Sequence, residues 1–139
     1  MIIAKDQKFD AASARQLNPL VLASIGDAVY SLLIRTHIVA NHDLNAHKLH
    51  SRAAHLVCAV AQKDAFYAIE NALTEEEAYI AKRGRNSHPP TIPKNADISD
   101  YRTATALEAV FGYLYLISDE KRIEELFNLI LEKENEEQL

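Results

Sequence analysis

Only three glycines and four prolines interrupt the 139 residues, and three of the prolines, Pro89, Pro90 and Pro93, crowd into one short stretch. A chain so poor in turn formers is ill suited to the many tight reversals of a β architecture. Its apolar residues recur instead at helical spacing. Leu49, Ala53, Leu56, Val57 and Val60 form one such series, Phe66, Ile69, Ala72 and Leu73 another, and Ile123, Leu126, Phe127, Ile130 and Leu131 a third. The expected fold is all-α, a single domain over residues 1–139 built as a bundle of six or seven helices.

Local signals place the helices. Asn18-Pro19 puts an N-cap and a helix-starting proline side by side, opening a helix to about Ala40 that Asn41-His42-Asp43 breaks. Its dense apolar pattern over 20–34 predicts burial on most sides. Helices follow over about 46–62 and 63–73, and Thr74 to Glu77 reads as a capping box opening a helix to about Gly84. The prolines exclude regular helix over 85–98. Ser99 or Asp100 is the expected cap of a helix over about 100–117, and Ser118 that of the last one.

A lone cysteine, Cys58, excludes an intrachain disulfide and fits a reducing cytoplasm. Within Leu56-Val57-Cys58-Ala59-Val60 it reads as a small buried hydrophobe. No uninterrupted apolar run approaches the roughly 20 residues of a membrane span. Met1-Ile2-Ile3-Ala4 meets Lys5 and Asp6 too soon to act as a signal peptide. A cytoplasmic protein without a membrane partner is expected.

The net charge of -5 hides an uneven distribution. Residues 119–139 hold eight acids against Lys121, Arg122 and Lys133, whereas residues 1–118 are neutral. Within them, Lys82, Arg83, Arg85, Lys94 and Arg102 face only Asp97 and Asp100 over 82–102, a basic segment masked by an acidic end from about residue 132.

Two carboxylates stand out against apolar helical surroundings: Asp27 in Ile25-Gly26-Asp27-Ala28-Val29 and Glu108 in Ala106-Leu107-Glu108-Ala109-Val110. Buried carboxylates need a partner charge, hydrogen-bond donors or a metal. The helical neighbours three before and four after are Ser24 and Ser31 for Asp27, Thr105 and Gly112 for Glu108. Such narrow stripes of small residues leave room for waters and a hard cation, and Mg²⁺ needs only one or two protein carboxylates. Packing carboxylates satisfied by Arg35 or Arg102 are the competing reading.

These residues carry a resemblance. Ile25-Gly26-Asp27-Ala28-Val29 and Leu107-Glu108-Ala109-Val110-Phe111-Gly112 resemble the two acidic motifs of the ribonuclease III catalytic domain. The order Leu17-Asn18-Pro19-Leu20, Gly26-Asp27-Ala28-Val29-Tyr30, Lys82-Arg83-Gly84-Arg85-Asn86, Pro93-Lys94-Asn95-Ala96-Asp97 and Tyr101-Arg102-Thr103-Ala104-Thr105-Ala106-Leu107-Glu108-Ala109 is closer still to Mini-ribonuclease III. That subfamily lacks a double-stranded-RNA-binding domain.

The resemblance, which spans about residues 15–131, implies a ribonuclease III catalytic-domain-like bundle and an endoribonuclease cleaving double-stranded RNA. It implies Asp27 and Glu108 as catalytic, metal-binding acids for Mg²⁺, with Mn²⁺ as a substitute. It further implies a homodimer, precursor large-subunit (23S) ribosomal RNA as substrate, and an assisting ribosomal protein. Two acids of the full-length family's set are replaced here by Ala23 and Thr105, which the small subfamily shares.

The basic segment then suits an RNA-binding loop carrying Lys82, Arg83, Arg85 and Lys94, since A-form RNA is read mainly through phosphates and 2′-hydroxyls. A non-catalytic RNA-binding or ribosome-assembly factor on the same fold is the alternative. The six histidines, with His47 and His50 on one helix face and His42 beside Asp43, lack the companion ligands of a metal site. An adaptor of other helical proteins would leave the basic loop unexplained.

Overall fold

The computed structural model describes residues 9–138, so the Met1–Asp6 stretch lies outside the described residues. Seven α-helices occur among these residues: α1 (Ala11–Arg15), α2 (Pro19–Asn41), α3 (Ala46–Val57), α4 (Ala59–Ile69), α5 (Glu75–Arg85), α6 (Ile98–Leu116) and α7 (Glu120–Gln138). A 3₁₀ turn, Glu70–Ala72, follows α4, and no strand occurs among the described residues. The all-α expectation is met.

The core is organised round α6, which is apolar or small on nearly every side and is buried along most of its length. Helices α2, α4 and α5 pack against it, and α7 covers the remaining flank. Tyr30 sits at the centre with its ring edge-on to Phe111 and Phe127. Burial pushes its hydroxyl far above the usual phenol range.

The caps follow local chemistry. The Asn18 side chain accepts from the Leu20 amide at 2.8 Å and Asn45 from Lys48 at 2.8 Å. Thr74 and Glu77 form the expected capping box. Glu77 also accepts from Arg122 Nε and Nη2, each at 2.9 Å, locking α5 to α7. Asp97, rather than Ser99 or Asp100, caps α6 by accepting from the Asp100 amide at 3.0 Å. Ser118 does not cap α7 either: it adopts φ 62 at the α6–α7 corner, and Asp119 accepts from the Arg122 amide instead.

Three expectations need correction. Helix α3 ends at Val57 and α4 begins at Ala59, so the break falls at Cys58 and not near residue 62. Cys58 is accordingly exposed, its thiol donating to the His55 carbonyl at 3.3 Å. Helix α2 buries one stripe, with Leu22, Gly26, Tyr30, Ile34 and Ile38 at every fourth residue. Its other side leaves Val21 50%, Leu32 66% and Val39 60% exposed, so this chain alone does not bury the helix on most sides. By length and mean hydropathy α2 is also long and apolar enough to cross a bilayer, which uninterrupted runs did not reveal. It carries Asp27 and Arg35 and contributes its stripe to the core.

Candidate active site

Two glycines bring the acids together. A Cβ on Gly26 would lie 1.6 Å from the Glu108 carbonyl oxygen, and one on Gly112 would lie 1.9 Å from that of Leu22. Helices α2 and α6 therefore touch backbone to backbone at this crossing, closer than any side chain permits. Asp27 is the residue after Gly26, and Glu108 precedes Gly112 by one helical turn. The same contact that excludes side chains sets the two carboxylates face to face.

The pair differs in environment. Asp27 is exposed and Glu108 is partly buried, so the expectation that both are sequestered holds only for the second. Glu108 has its carboxyl pushed up to about 8, chiefly by burial. Hydrogen bonding to Asp27 and the repulsion of its charge add to the rise, and a hydrogen bond with Gln62 opposes it. Gln62 itself is 3% exposed, on the α4 face that carries Ala65, Phe66 and Ile69 into the core.

No arginine neutralises the pair among the described residues. Arg35 donates to Ser31 at 3.2 Å, and Arg102 makes no hydrogen bond or ion pair among the described residues. Among the described residues, no third His, Cys, Asp or Glu joins the two acids to complete a metal cluster. Ala23 and Thr105, where the resemblance implied two missing acids, are both buried. The Thr105 hydroxyl donates back to the Tyr101 carbonyl at 3.0 Å. The small residues flanking Glu108 thus serve helix contact and local bonding more than water-filled space.

The basic residues do not form one free cluster. Lys82 and Lys94 are exposed, without an ion pair among the described residues. Arg83 donates to the Arg15 carbonyl and lies 5.8 Å from the Tyr79 ring, on which Arg15 also stacks. Arg85 pairs with Glu70 at 3.8 Å and stacks on Phe66 at 5.2 Å. Both arginines are partly engaged in fixing α5, a role their helix-end position foreshadowed.

Gln62 is the site residue that sequence reading missed. Its signal was a polar amide at a position whose helical neighbours, Ala65, Phe66 and Ile69, are all apolar.

The sequence matches the Ribonuclease III domain family over residues 20–119. It is 46% identical over 126 residues to Mini-ribonuclease 3 of Clostridium tetani, covering 90% of this chain and 83% of that protein. With Mini-ribonuclease 3 of Enterococcus faecalis the identity is 43%, covering 88% of this chain and 94% of that one. A crystal structure of a Fusobacterium nucleatum protein superposes with a TM-score of 0.77 at 33% identity, covering 86% of this chain and 96% of that chain.

Proposed function

This chain belongs to the ribonuclease III family and is an endoribonuclease, and from that premise we propose that Asp27 and Glu108 hold a divalent cation and cut double-stranded RNA. The observation that carries this reading is the convergence of two carboxylates with no cationic side chain pairing them among the described residues. Like charges set this close oppose each other's ionisation. Burial chiefly, with the hydrogen bond to Asp27 and the repulsion of its charge added, raises Glu108 to about 8.

A pair of hard oxygen donors left in that state fits Mg²⁺, or Mn²⁺ in its place. When bound, such an ion supplies an activated water and neutralises charge on the scissile phosphate. Asp27, open to solvent, is placed to meet an arriving ion. Glu108 holds a proton near neutral pH while no cation is present and must release it on binding. Gln62 orients the Glu108 carboxylate through its amide.

Cutting both strands of a duplex needs two such centres, and each chain has one. A two-fold homodimer supplies the second. The exposed stripe of Val21, Ala28, Leu32 and Val39 on α2, beside Asp27, supports that assembly. Lys82 and Lys94, without an ion pair among the described residues, support contact with the duplex backbone, joined by Arg83 and Arg85. The natural duplex we assign is precursor large-subunit (23S) ribosomal RNA, presented with a ribosomal protein in the cytoplasm. That assignment rests on the likeness to Mini-ribonuclease 3.

The test is cleavage of a perfect RNA duplex with and without Mg²⁺, comparing wild type with Asp27→Asn. The expected result is Mg²⁺-dependent cutting that the variant loses by about three orders of magnitude, the several kcal/mol a bound ion contributes. Duplex binding should survive the change. Equal cleavage by the variant would remove Asp27 from the site, whereas duplex binding without cleavage by either protein would favour the non-catalytic alternative.

A further inference from the structure

A groove of about 720 Å³ opens between the end of α4, the start of the proline-rich loop and the first turns of α6. Its walls carry Arg85, Asn86, Ser99 and Arg102, with the exposed ring of Tyr67 at one side. Neither catalytic acid lines it. The unusual member is Arg102. Its Nε is buried with no hydrogen-bond partner, and the side chain forms no ion pair among the described residues. Buried donors are normally satisfied. No protein group among the described residues gives this guanidinium an acceptor, and its terminal nitrogens, which are not buried, are the donors a ligand can reach.

The surrounding charges favour an anion. Glu70 is the one carboxylate among the groove's lining residues, and Arg85 pairs with it at 3.8 Å. Asp100 is neutralised by Lys63 at 3.2 Å, and Asp97 is occupied in capping α6. The first turn of α6 adds the positive end of a 19-residue helix. Arg102 and Glu108 are six residues apart on α6, about 9 Å along its axis. Six residues at about 100° each also set them roughly 120° apart around that axis, so the groove presents a face of α6 distinct from that of Glu108.

We propose that this groove docks a backbone phosphate of the RNA duplex, with Arg102 as the principal donor, as a binding subsite separate from the catalytic pair. A guanidinium fork matches phosphate geometry, and it needs no base-specific contact. Asn86, Ser99 and the Tyr67 hydroxyl offer hydrogen bonds suited to ribose 2′-hydroxyls, by which A-form RNA is recognised. The inference rests on the double-stranded-RNA reading above and extends it to Arg102, the one cation of the basic segment to which that reading gave no contact.

The experiment uses the full chain carrying Asp27→Asn, so that the duplex stays intact, and a fluorescently labelled RNA duplex titrated at several salt concentrations. Adding Arg102→Gln keeps most of the side-chain stem while removing the charge. It should weaken binding by about tenfold at low salt and lower the salt slope by about one. Arg102→Lys should recover part of the affinity. Ser99→Asp, at an exposed position where an acid suits the helix start, should weaken binding without lowering the melting temperature. This last variant decides the matter if both Arg102 variants fold poorly. Unchanged affinity and slope in folded Arg102→Gln, or in Ser99→Asp, overturns the subsite. If the Asp27→Asn protein itself has no affinity for the duplex, the RNA reading falls and the subsite falls with it.

Discussion

At the scale of single residues, Glu108 links the site to folding. An ordinary glutamate titrates near 4.5, whereas Glu108 keeps its proton up to about 8. The folded protein therefore binds more protons than the unfolded chain between those values. Stability from this group is fully present below about pH 4.5 and drains away as pH rises through 8. Without divalent cations, thermal melts should show falling stability from pH 5 to 8, with a total on the order of a few kcal/mol. Glu108→Gln should flatten that trend, and Mg²⁺ should recover stability at pH 8 in wild type only. Gln62→Leu removes the amide that favours the charged carboxylate. Half-maximal cleavage should then require about ten- to a hundredfold more Mg²⁺, with duplex affinity unchanged. An unchanged Mg²⁺ requirement would make Gln62 a packing residue.

At the scale of helices, the crossing of α2 and α6 decides whether there is a site at all. Gly112→Ala drives a methyl to within 1.9 Å of backbone that cannot yield, so about 3 kcal/mol or more of stability should be lost, together with cleavage. Gly84→Ala meets the Ala109 Cβ at 3.0 Å, the Thr105 carbonyl oxygen at 3.1 Å and the Ala106 Cα at 3.2 Å, so α5 and α6 must part by a few tenths of an ångström. The gain in helix propensity offsets that crowding, so denaturant midpoints should place it within about 1 kcal/mol of wild type. At the α6–α7 corner, Ser118 holds a left-handed backbone that disfavours a side chain. Ser118→Gly should raise stability by about 1 kcal/mol. A loss there would mean that the serine side chain contributes more than its backbone costs.

At the scale of the whole molecule, the exposed α2 stripe is the surface that a single chain leaves uncovered. Leu32 is 66% exposed at its centre, so Leu32→Asp should not perturb the monomer fold. It should convert a dimer to monomers in sedimentation experiments and reduce coupled cutting of both strands. A wild-type monomer at micromolar concentration would remove the two-centre account while leaving the chemistry of one site intact. The basic surface belongs to this scale too. Lys82 and Lys94 are exposed without an ion pair among the described residues, and only the folded chain shows that Arg83 and Arg85 have intramolecular partners while Arg102 has none among those residues.

Helix identity, most starts and the proline-rich interruption were legible in the amino acids because they depend on local chemistry. Asn18-Pro19, the Thr74–Glu77 box and the period of the apolar residues each act within a turn or two of backbone. The break at Cys58 was not legible, because Leu56 to Val60 contains no glycine, proline or cap signal and the bend follows from packing. The exposure of Asp27, the partnership of Gln62 with Glu108 and the vacant guanidinium of Arg102 were likewise invisible. Each depends on which helix lies opposite, and that is set by two glycines separated by 86 residues whose missing side chains let α2 and α6 meet.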